Sequence, residues 1–188
     1  MTAVAWVALS YRLPSEPSRL RLAIWRRLKR LGALVQHDAL WLLPADAKTR
    51  EAFEWLAEEI EELGGTALVF EARSFGAAQD RRLIAAFRAE ADERYGILAE
   101  TAGEIGRLAT RRRAPRAAPA QARRQLAGLE RALRLERRRD YFRAPVREAA
   151  ATAIADAAAA LEPLLGAPAA ANQKGVPRAL GHQTASAH

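Results

Sequence analysis

The chain has 188 residues, half of them hydrophobic, enough for one good core and a smaller helical appendage but not for two large domains. Lysine and arginine exceed aspartate and glutamate by 30 to 22, and the net charge of +8 attracts polyanions such as nucleic acid or an anionic membrane face. There is no cysteine, which excludes disulfides, thiolate metal sites, iron–sulfur clusters and cysteine nucleophiles.

The opening run Val4-Ala5-Trp6-Val7-Ala8-Leu9 is continuously apolar and closes at Pro14. It reads as a strand buried on both faces rather than as a signal peptide, since it is short and has no basic leader. Ser15 to Gly32 follows as a helix, started by Ser15 ahead of Pro17 and stopped at Gly32, with Leu20, Leu22, Ile24, Trp25, Leu28 and Leu31 apolar. Ala33–Val35 and Ala39–Leu43 are two short apolar pieces split by the polar turn Gln36-His37-Asp38, which predicts a hairpin.

Asp46 caps a second helix, from about Ala47 to Leu63, which stops at Gly64-Gly65 and carries Phe53, Trp55, Leu56 and Ile60. Thr66 to Ala72 is the next strand. Strand, helix, hairpin, helix, strand is the order of a ferredoxin-like split βαβ unit, so residues 1–75 are expected to form an α+β unit of that kind.

Residues 76–165 read as an arginine-rich helical extension. Ala77 to about Ala109 has helical spacing, with Gly96, Gly103 and Gly106 as points where it could break in two. A basic, proline-bearing connection leads to a long helix from Gln121 to Tyr141, expected to form a hairpin with the one before, and a last helix of mostly alanine runs from about Val146 to Leu165. Residues 166–188 are small and polar without periodicity and read as a disordered tail. No segment reaches the length and apolarity of a membrane span, and the expected location is the cytoplasm.

Charge singles out two regions. The first helix carries Arg19, Arg21, Arg26, Arg27, Lys29 and Arg30, whereas the second carries Glu51, Glu54, Glu58, Glu59, Glu61 and Glu62. These faces of opposite sign suit pairing with each other or with a second copy, or the first suits phosphates. Between Arg111 and Arg147, thirteen arginines stand against Glu130, Glu136 and Asp140. That bias exceeds what solubility requires, and guanidinium matches phosphate bidentately. The expected phosphate contacts are Arg26, Arg27, Arg30, Arg111, Arg112, Arg113, Arg123 and Arg124.

Catalysis finds little support, and an enzyme, which would need a metal at Asp38, is the weakest reading. His37 is the one histidine outside the tail, so no triad can be assembled, and His37-Asp38 is better explained by turn chemistry than by a metal. Ser10-Tyr11-Arg12 follows the first strand where some ferredoxin-like nucleases place a metal-binding aspartate, which argues against a nuclease. Gly64-Gly65 is a helix stop, not a phosphate loop. The four tryptophans, Trp6, Trp25, Trp41 and Trp55, are expected to be packing residues. No cofactor is expected.

Ser10 through Pro17, Trp25-Arg26-Arg27-Leu28-Lys29-Arg30-Leu31-Gly32-Ala33 and Ala39-Leu40-Trp41-Leu42-Leu43-Pro44 together resemble the amino-terminal region of the chromate-resistance regulators of the ChrB family, and Arg138-Arg139-Asp140-Tyr141-Phe142 looks like that region's ending. The Leu28 to Pro44 stretch is also weakly similar to regulators of the phenylacetate-repressor type. The first resemblance implies a homodimeric DNA-binding transcriptional regulator whose binding chromate relieves. The alternative is a non-enzymatic module that answers to an oxyanion or an acidic protein partner. No residue marks chromate above sulfate or phosphate.

Overall fold

A computed structural model describes residues 4–37, 40–109 and 118–166. It is a mixed α+β structure with a four-stranded antiparallel sheet and, among the described residues, five helices. The chain runs β1 (Ala5–Arg12), α1 (Ser18–Leu31), β2 (Leu34–Gln36), β3 (Leu40–Pro44), α2 (Ala47–Glu62), β4 (Thr66–Arg73), α3 (Ala77–Ala109), α4 (Ala118–Arg139) and α5 (Arg147–Gly166). Strand order is β2-β3-β1-β4.

The central place of β1 explains its unbroken hydrophobic run: Trp6, Val7, Ala8 and Leu9 are all buried, with β3 on one side and β4 on the other. Register puts Val7 and Leu9 on one face with Leu43, Trp41 and Val69. On the exposed edge strand β4, Ala67 and Val69 are half-buried whereas Leu68 and Phe70 are exposed, so α2, which runs along β1 and β4, covers the face of Val69. Beside it α1 joins through an Arg27–Glu59 ion pair and sets Lys29 5.8 Å over the Trp41 ring. Ile24, Leu28, Phe53, Leu56 and Ile60 are the buried residues of these two helices in the core they share with the sheet.

The helix boundaries follow local chemistry. Asp46 accepts from the Thr49 amide at 2.7 Å, and the Thr49 hydroxyl accepts from the Asp46 amide at 3.0 Å, a reciprocal cap that starts α2 as expected. Helix α1 stops at Gly32, whose φ of 75° is left-handed. Ser15 does not cap it: Pro17 occupies the cap position, with no side-chain cap bond.

Helix α3 runs unbroken for 33 residues, through all three glycines at which it could break. The reason is packing: Leu83, Ile84 and Phe87 belong to the sheet core, while Ala91, Tyr95, Ala102 and Ile105 belong to a second core with α4 and α5. A Cβ at Gly106 would sit 3.8 Å from the Cα of Ala157, an ordinary contact distance, so α5 lies directly along α3 there. Helix α4 packs on α3 as expected, α5 packs on both to make a three-helix bundle, and α3 contributes to both cores.

Trp25 and Trp55 are 46 % and 68 % exposed, which corrects the expectation that all four tryptophans pack inward. At 100° per residue, Trp25 lies about 80° from the midpoint of Ile24 and Leu28, and Trp55 sits on the far side of α2 from Phe53 and Ile60. Trp6 and Trp41 are buried.

Candidate nucleic-acid interface and its support

The two cores meet where β1 begins and α1 ends. Trp6 stacks on Phe87 of α3 with centroids 5.7 Å apart and donates its indole N–H to Asp80 at 3.0 Å. Asp80 also accepts from the Val4 amide. Hydrogen bonds from the Ser74 side chain, foremost, and from Trp6 hold its carboxyl below the usual aspartate range.

The other half of the junction is the segment Arg138 to Phe142. Arg139 donates to the carbonyl of Lys29 at 2.9 Å, which also accepts from the Gly32 amide at 3.2 Å, and Tyr141 donates to that of Leu31 at 2.8 Å, so two side chains bond carbonyls at the end of α1. Phe142 packs against both Trp6 and Phe87, and its carbonyl accepts from Arg88 at 2.9 Å. Burial pushes the Tyr141 hydroxyl up to about 12.

Two of the three carboxylates that oppose the arginines in this part of the sequence are consumed inside. Glu136, 2 % exposed, accepts from Arg94 at 2.8 Å and from Arg139 at 2.7 Å. Asp140 accepts from the Ala144 amide at 3.0 Å and from the Tyr95 hydroxyl at 3.3 Å, with Arg147 3.6 Å away. Burial first, and then the Asp140 charge, raise the Tyr95 pKa.

What remains outside is strongly one-sided. On α4, Ala122, Leu126, Leu133 and Glu136 face inward, whereas Arg123, Arg124, Arg131, Arg134, Arg137 and Arg138 are exposed. At 100° per residue these six fall within an arc of about 140°, centred roughly 130° from the buried face, along ~22 Å of helix. Among the described residues none of the six makes an ion pair, and Glu130 is the one carboxylate exposed on α4.

The expected contact residues thus separate. Arg123 and Arg124 open this stripe, joined by Arg131, Arg134, Arg137 and Arg138, which were in the basic stretch but not singled out. The 3.6-residue period of α4, applied to its arginines instead of its leucines, finds them. Arg26 and Arg30 are exposed on α1, while Arg27 is paired with Glu59. Arg27 and Arg30 line a groove together with Glu58, Glu59, Glu62 and Trp55, so its sign is mixed. Arg111, Arg112, Arg113 and Asp38 lie outside the described residues, as does the tail beyond residue 166.

Among the described residues no three His, Asp or Glu side chains gather as metal ligands, and no helix is long and apolar enough to cross a membrane. No curated protein and no solved structure matches the chain. The family model described as protein ChrB, N-terminal, matches residues 21–166, a span that takes in most of α1, the sheet from β2 onward and the whole bundle. The chain therefore belongs to the ChrB N-terminal family and is a regulatory protein related to chromate resistance.

Proposed function

We propose that the protein is a DNA-binding transcriptional regulator of chromate resistance, acting in the cytoplasm without catalysis, and that α4 is its phosphate-contacting element. The observation that carries this reading is the stripe of six exposed arginines on one face of α4. Guanidinium groups at helical spacing over ~22 Å match a polyanion of closely spaced charges, and each phosphate neutralised releases counterions that drive binding. Two buried carboxylates strengthen the stripe: Glu136 and Asp140 hold inward-facing cations and leave the outer face positive.

Arg27 and Arg30 are less suited to phosphate than this stripe, whereas Arg26 is exposed beside them. Glu59 already holds Arg27, and the carboxylates along the α1–α2 groove repel phosphate. The sheet unit is read as ferredoxin-like, a split βαβ arrangement supported by its element order and its β2-β3-β1-β4 strand order.

Fluorescence anisotropy with the protein's own upstream DNA and a scrambled duplex, over a salt series with and without chromate, tests the reading. Binding that weakens with salt, and a logarithmic salt slope reduced by about two units in Arg123→Ala/Arg124→Ala, is expected at ~0.9 per phosphate contact. Unchanged affinity and slope in that variant remove α4 from the interface. No binding at low salt favours the oxyanion-responsive or protein-interaction module instead. Loss of binding on adding chromate identifies the effector.

A further inference from the structure

The outer surface of α1 and α2 carries two large aromatic side chains and two opposite charges that the fold leaves uncompensated. Trp25 and Leu22 on α1 are 46 % and 45 % exposed, and Trp55 on α2 is 68 % exposed. Exposed tryptophan beside arginine is the composition of residues that dominate interface energetics. After the Arg27–Glu59 and Lys29–Glu90 pairs are set aside, Arg19, Arg21, Arg26 and Arg30 remain on α1. On α2, once Arg50 is assigned to Glu71, there remain Glu51, Glu54, Glu58, Glu61 and Glu62 against Lys48. The two helices thus keep four charges each, of opposite sign, and no other ion pair among the described residues joins them.

The helices are antiparallel. Arg21, near the start of α1, shares a cleft with Gly64 just past the end of α2, and Arg30, near the end of α1, shares a groove with Ala52 in the first half of α2. This layout restricts how the surface can meet a copy of itself. A two-fold axis lying along and between the helices places α1 of one copy over α2 of the other, cation over carboxylate. An axis across the helices opposes like charges and is disfavoured.

We infer that the α1–α2 layer is a self-complementary dimer interface, in which the basic α1 of one copy packs on the acidic α2 of the other and Trp55 is buried at the contact. The occupant is a second copy because one surface supplies both halves of the complementarity in equal amount. Two helices of ~21 and ~24 Å, each about 10 Å wide, present a footprint of about 450 Å² on each partner, the size of a weak, reversible association. The inference does not rest on nucleic-acid binding, and its test contains no DNA.

Sedimentation equilibrium of the full chain, at low and high salt, measures the association. A dimer that weakens as salt rises is expected. The variants Arg26→Glu/Arg30→Glu and Glu58→Arg/Glu62→Arg, all at exposed positions, should each dimerise at least tenfold more weakly, and an equimolar mixture of the two should recover a dimer. Circular dichroism checks that they fold. Trp55→Ala reaches the same interface without altering charge and should also weaken the dimer at least tenfold. A wild-type protein that stays monomeric overturns the inference. So do variants that remain dimeric, as they would if copies met at the β4 edge through Leu68 and Phe70, or a mixture that fails to associate.

Discussion

Tyr141 donates its hydroxyl to the carbonyl oxygen of Leu31 at 2.8 Å, across 110 positions of sequence. With the Arg139 bond to Lys29, it turns the end of α4 into a tertiary cap for α1, so the bundle finishes a helix that belongs to the sheet unit. Tyr141→Phe keeps the packing and removes the donor. It should cost about 1 kcal/mol in denaturant unfolding at neutral pH. Because the folded hydroxyl titrates at about 12, above the ordinary value near 10, the tyrosine's contribution is complete below pH ~10 and is lost as pH rises toward 12. The gap between wild type and variant should close over that window, and a gap that persists unchanged contradicts the assignment.

Gly32 is required twice. Its φ of 75° favours glycine, and a Cβ there would lie 2.8 Å from the Cβ and 3.0 Å from the carbonyl oxygen of Arg139. Gly32→Ala should destabilise by about 2–3 kcal/mol, combining left-handed strain with a displaced Arg139. Gly96→Ala, at a position where the added methyl meets nothing within 4 Å and the backbone is helical, should be neutral or stabilising. Thermal melts of the pair distinguish a glycine the fold needs from one it tolerates.

Glu136 is a buried carboxylate held by two arginines that are themselves largely buried. Glu136→Ala leaves Arg94 and Arg139 facing each other across an emptied site and should cost about 3–5 kcal/mol. The Lys29 cap bond of Arg139 should loosen with it, so hydrogen exchange should rise at the end of α1 as well as in α4. Protection loss confined to α4 would mean that Glu136 does not position Arg139.

Asp80 holds the first residues of the sheet unit to α3 through Trp6 and Val4. Its folded pKa lies below the ordinary value near 4, so its contribution is present above that pH and is lost as pH falls through the depressed folded value. Asp80→Asn should melt at a lower temperature than wild type at neutral pH, and the two should converge in strong acid. A difference that stays constant down to low pH would rule out a role for the charge.

Much of the architecture was legible in the chain. The continuous run Trp6 to Leu9 marks a strand covered on both faces, Asp46 and Thr49 mark the start of α2, and Gly32 marks the end of α1, because strand burial, capping and left-handed backbone are local demands on residue type. Periodicity also foretold the helices of the extension to within a few residues. It did not settle which apolar side chains go inside: Leu22 and Trp25 extend the apolar arc of α1 beyond what its neighbours cover, and Trp55 sits among glutamates on the outer side of α2.

Those outcomes belong to tertiary structure. The unbroken α3 depends on Ala157 and the sheet core lying along it, which offsets glycines that weaken an isolated helix. The surface charge of α4 depends on where Glu136 and Asp140 point: counted along the chain they dilute the arginines, yet in the fold both are buried against Arg94, Arg139 and Arg147. The sequence by itself determined the elements and the sign of the charge, since both follow from residue type and short-range spacing. Only the packing of distant segments decided which charges cancel inside and which remain outside for a partner, because electrostatic pairing depends on distance in space rather than along the chain.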